Sequence, residues 1–199
     1  MCWGRKLFFI AIALFLFSEI SAQVSAGEFY STHLQCQNTG MFILGVWAVA
    51  NIATGVYGWS RYGGDAKYFH QMNLFWNTVN LGIAGFALYN NMQTGPLMFG
   101  VEEALDEARK IEKILLINSG LDVAYIGTGF LLRNLSSNSD KRKDLLKGYG
   151  KSLILQGSFL LVFDLILYGV LHSSRMDFME GISFSLEESY WGVSWCYCF

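Results

Sequence analysis

Long apolar runs alternate with short polar connectors along this chain. Residues 41–59 (MFILGVWAVANIATGVYGW), 72–90 (MNLFWNTVNLGIAGFALYN), 113–133 (KILLINSGLDVAYIGTGFLLR) and 153–172 (LILQGSFLLVFDLILYGVLH) each supply roughly twenty mostly apolar residues, enough for a helix to cross the core of a bilayer. They predict an all-α membrane protein, an antiparallel four-helix transmembrane bundle over residues 41–172. The third span is preceded by VEEALDEARKIEK, where Val101, Leu105, Ala108, Ile111 and Leu115 recur at helical spacing. That helix therefore begins in water and runs on into the membrane.

An earlier run, LFFIAIALFLF behind Arg5 and Lys6, is too short to span comfortably. Ser21, Ala22 and Ala26 follow it, so residues 1–26 are read as a signal peptide cut after Ala22 or Ala26, and 27–40 as an exported polar segment. Retained as an extra helix, the same stretch leaves the remaining topology unchanged. In the exported tail, 173–199, ISFSLE and WGVSWCYCF alternate apolar with polar or small residues around EESY, which predicts a short C-terminal β-hairpin. One hairpin cannot close a barrel, so it rests at the membrane surface.

Charge orients the bundle. The connectors after spans one and three contain Arg61, Lys67, Arg133, Lys141, Arg142, Lys143, Lys147 and Lys151, whereas the opposite side has Arg109, Lys110, Lys113 and Arg175. By the positive-inside rule the first group is cytoplasmic and both mature termini are exported. A chain that is 53% hydrophobic, with one Pro and a net charge of -2, fits lipid-soluble helices and gives no sign of nucleic-acid binding.

The polar residues left inside the spans carry the candidate chemistry. An acid at the centre of a membrane helix costs roughly 2.5 to 3.5 kcal/mol on insertion scales, so Asp122 and Asp164 should face a protein interior or a watery cavity. Counted inward from the exported edge, Asn51, Asn80, Asp122 and Asp164 fall at nearly one depth. Stripes accompany them: His70, Asn73, Asn77 and Asn80 on span two; Asn118, Asp122 and Tyr125 on span three; Gln156, Asp164, Tyr168 and His172 on span four. Glycines at 55, 85, 127, 129 and 169 should let the helices approach closely.

No Lys or Arg lies between the ends of any span, so two neighbouring acids require a proton on one of them or a cation between them. The leading expectation is therefore a proton or small-cation site, with Asp122 and Asp164 titrating or coordinating, Asn51, Asn80 and Asn118 as neutral ligands, and Tyr125 and Tyr168 beside them. The bland alternative uses the same groups as interhelical hydrogen bonds in a noncatalytic membrane assembly or scaffold protein. His33, His70 and His172 fall near different membrane faces, which predicts no shared metal or haem site and no cofactor. Cys36, Cys196 and Cys198 face the exported side but form no C-x-x-C pair, leaving a thiol oxidoreductase as the third reading.

In FHQMNLFWNTVNLGIAGF, INSGLDVAYIGTGFLLR and LQGSFLLVFDLILYG the chain resembles an uncharacterised bacterial family of small four-helix integral membrane proteins, a domain of unknown function. The resemblance covers residues 41–172. It implies a bacterial cell-envelope setting and assigns no activity; the spans themselves make the lipid bilayer the first partner and the bacterial inner membrane the expected location.

Overall fold

A computed structural model describes the backbone of residues 3–93 and 100–195 and the side chains of 26–93 and 100–182. Four helices account for it: α1 (Trp3–Arg61), α2 (Gly64–Gln93), α3 (Val101–Ser136) and α4 (Lys143–Trp195). Each expected span lies inside one helix. No strand occurs among the described residues. In place of the first strand of the expected hairpin, α4 continues through residues 182–195; Cys196 and Cys198 lie outside the described residues. The alternation there is short, and an isolated two-stranded hairpin is marginal in water, whereas a running helix satisfies each new backbone group with the preceding turn.

The helices form two antiparallel hairpins, α1–α2 and α3–α4, joined where α2 packs along α4. The first hairpin turns within Tyr62 and Gly63, and Gly64 takes φ +58°, a left-handed conformation that costs glycine nothing. Across the two hairpins, Lys151 Nζ reaches Asp65 Oδ2 at 2.7 Å, and Tyr149 donates to Gln71 Oε1 at 3.1 Å. The two helices of the second hairpin come so close that a Cβ on Gly129 would stand 2.7 Å from the Gly150 carbonyl oxygen. Small residues make that approach possible.

The interior is the reverse of a water-soluble core. As many polar as apolar side chains are buried, while Phe42, Val46, Val79, Phe86, Leu131 and Ile166 are among many large apolar side chains facing outward. On α1 the inward positions are Gly40, Leu44, Ala48, Asn51, Gly55 and Gly58; on α2 they are Asn73, Asn77, Asn80 and Ala84. A surface of this kind belongs in hydrocarbon. Three stretches, Ala26–Arg61, Val101–Ser136 and Lys143–Ile182, are long and apolar enough to cross a membrane. The α2 helix is not among them, because its asparagines lower its mean hydropathy; those asparagines are inside, and its outer face presents Phe75, Val79, Ile83 and Phe86.

Candidate functional site

The buried polar groups fall into three tiers along the bundle. The first is an amide network: Asn51 Nδ2 donates to the Trp47 carbonyl at 2.8 Å, and Asn73 Nδ2 donates to Asn51 Oδ1 at 2.8 Å. Gln156 Nε2 from α4 donates to Asn73 Oδ1, and Gln156 Oε1 accepts from Trp47 Nε1 at 3.1 Å. Asn77 Nδ2 donates to the Asn73 carbonyl at 2.8 Å, and Asn80 Nδ2 reaches Asn77 Oδ1 at 3.4 Å. Asn73, Asn77 and Gln156 are almost wholly buried. Three helices are thus tied by amides that largely satisfy one another, with Trp47 stacked on Phe159 at 3.8 Å beside them.

The second tier is acidic. Asp122 on α3 and Asp164 on α4 are 3% and 6% exposed, and their carboxyls stand within hydrogen-bond reach of each other. Asp122 Oδ2 is buried and receives no hydrogen bond from a protein donor. The pair meets because Gly157 brings α4 against α3 at the level of Asp122: a Cβ there would be 3.0 Å from the Asp122 carbonyl. Both acids, with Asn80, line a cavity of about 690 Å³ walled by all four helices. Trp76 and Tyr125 meet edge to face across it at 4.6 Å, and the indole Nε1 is buried without an acceptor.

The third tier is a buried ion pair that sequence reasoning missed. On Glu112 of α3, 6% exposed, Oε1 accepts from Arg175 Nε at 2.6 Å and Oε2 from Arg175 Nη2 at 3.0 Å, and His172 Nδ1 lies 2.9 Å from the same Oε2. His33, 1% exposed, lies near this pair with neither ring nitrogen hydrogen-bonded. The only signal in the sequence is spacing: Glu112, Leu115, Ser119 and Asp122 share the buried face of α3.

The expected single ring is therefore two levels. Asn51 pairs with Asn73, seven residues before Asn80, which puts the amide tier about 10 Å from the acid tier at 1.5 Å per residue. The turn at Tyr62–Gly63 sets this register, not the edges of the apolar runs. Asn118 is exposed, at the cavity's rim. Tyr125 faces Trp76 as described, but Tyr168 stacks on His172 at 5.3 Å, above the acids. His70 leaves the stripe to stack on Tyr62 at 5.3 Å. Of the close-approach glycines, 55 and 129 meet neighbouring helices, whereas 85, 127 and 169 have open space around them. Cys36 is half-buried and free.

Helices with large apolar side chains outside and small or polar ones within define a four-helix bundle of the membrane type. The chain belongs to DUF6992, a family of unknown function, whose profile matches residues 43–165. Among curated proteins and among solved structures, nothing matches.

Proposed function

We propose that the bundle binds, and passes across a bilayer, a proton or small cation at the Asp122–Asp164 pair. One observation carries this reading: two buried carboxyls in contact on the wall of a cavity, with Asp122 Oδ2 lacking a donor. Two bare carboxylates at that distance repel strongly in a low-dielectric setting, so a proton or cation must lie between them. Asn80 lines the same cavity and supplies a neutral ligand. In this reading residues 1–26 are a cleaved leader, the basic connectors face the cytoplasm of a bacterial inner membrane, and the mature termini are exported.

The test is flux through the full chain in proteoliposomes under an imposed pH or cation gradient, with a fluorescent reporter inside. Asp122→Asn combined with Asp164→Asn should abolish the flux while preserving the helical spectrum. Vesicles that show no protein-dependent flux, or a double variant as active as the parent, would refute the proposal.

The amide tier favours a second reading, a membrane scaffold. The Asn51–Asn73–Gln156 network is internally satisfied and joins three helices, as expected of structural glue. That reading expects the Asp double variant to lose stability or partner capture, with flux absent throughout.

A further inference from the structure

The acid pair accounts for a small part of the space around it. A water occupies about 30 Å³ of liquid, whereas ligand pockets run from about 300 to 1,000 Å³. At about 690 Å³ this cavity has the volume of an organic-ligand site, far beyond the needs of a proton or dehydrated ion. Its walls are mostly apolar, with Leu44, Leu115, Leu160 and Phe163 among them, and among the described residues they contain two Asp and no Lys, Arg or His.

It also opens sideways. The backbones of α2 and α3 do not come into contact, and between these helices the lining residues Val79, Ile83 and Phe86 on one side and Ile114 and Leu121 on the other are largely exposed. In a bilayer that opening faces acyl chains, so a ligand enters from the lipid. At the inner end stand the paired acids Asp122 and Asp164, and the Trp76 and Tyr125 rings line the same wall, offering π faces and edges. An apolar body with a positively charged, hydrogen-bonding end matches each of these features.

We propose that the lateral cleft between α2 and α3 binds a lipophilic organic amine, its apolar body along the cleft and its ammonium group held by the Asp122–Asp164 pair. The inference rests on the acid pair as an exchangeable-proton site: the ammonium takes the place of the proton or cation held there.

Rhodamine 6G, a lipophilic organic cation whose N-ethylamino groups carry N–H donors, serves as the probe, read by fluorescence anisotropy with the full chain in detergent. Saturable binding should be displaced by dodecylamine and not by dodecanol or dodecanoate. A charge-assisted hydrogen bond is worth about 1.5 to 3 kcal/mol, so Asp122→Asn should weaken binding roughly 10- to 100-fold. Ile83→Trp, which fills the cleft mouth and leaves both acids in place, should weaken it at least as far as can be read at tenfold excess protein. Absence of saturable binding overturns the proposal. So does equal displacement by dodecanol, which would mark an acyl-chain groove, or oxidative cross-linking of two copies through Ile83→Cys, which would mark a dimer face. If amine binding fails while Asp-dependent flux persists in proteoliposomes, this inference falls and the proton or cation site stands; if both fail, both fall.

Discussion

Asn73 and Gln156 show how one side chain comes to matter to three helices. Asn73 Oδ1 accepts from Gln156 while its amide donates to Asn51, so Gln156→Leu strands Trp47 Nε1 and leaves Asn73 Oδ1 with only the long 3.5 Å contact from Asn77 Nδ2. Interhelical hydrogen bonds in membrane proteins average about 0.6 kcal/mol, and unsatisfied buried groups add to the loss. We expect about 1 to 2 kcal/mol of destabilisation, measured as a lower unfolding midpoint in a denaturing-detergent titration. Breaking the Glu112–Arg175 pair from one side should cost more, about 3 to 5 kcal/mol, because the partner stays buried and unpaired. The same titration checks Glu112→Gln against the double change Glu112→Leu with Arg175→Leu, which should recover much of the loss.

These residues were unequally legible. Asp122 and Asp164 stand out because each is an acid in an apolar run. Glu112 is hidden among the charges of EARKIEK, and its partner is 63 residues away. Asn118 misleads for a geometric reason: it is one turn from Asp122, yet the buried stripe follows Leu115, Ser119 and Asp122, so position 118 falls to the cleft side.

At the scale of the helices, length and type follow from the apolar runs, and the small residues set how closely the helices meet. Gly129→Leu would drive a side chain into the Gly150 carbonyl; overpacking of this kind costs about 1 to 3 kcal/mol. Gly127→Ala, with open space around it, should leave stability unchanged or raise it by up to about 1 kcal/mol through helix propensity. Thermal unfolding of the two variants side by side separates a packing glycine from an incidental one. Register was the part that spacing within each run could not supply. It is fixed by the two-residue turn before Gly64, which pairs Asn51 with Asn73 and leaves Asn80 to the acids.

For the whole molecule, the joint between the hairpins lies at the basic end. Asp65 is held below the usual carboxylate range, chiefly by its hydrogen bond to Lys151 and further by the charges of Lys151 and Lys147. Because the folded value is depressed, its contribution is present above the unfolded value of about 3.9 and is lost as pH falls through the lower folded value. The stability difference between the parent and Asp65→Asn should therefore hold near pH 6 and shrink progressively as the solution is acidified below the unfolded value. Unfolding midpoints taken across that range check the sign. The inside-out distribution of side chains was legible from composition and run length; the cavity was not, because its mouth lies between α2 and α3, whose separation depends on how the two hairpins pack together.

The central claim is that Asp122 and Asp164 act as one unit with a proton or cation between them. Infrared difference spectroscopy of the purified chain, recorded across a pH titration, observes the carbonyl stretch of a protonated carboxyl directly. With no metal cation in the buffer, a protonated-carboxyl band should be present at neutral pH, shift in Asp122→Asn and in Asp164→Asn, and disappear in the double variant. A neutral-pH spectrum with no such band, or one that the double variant leaves unchanged, would contradict the account.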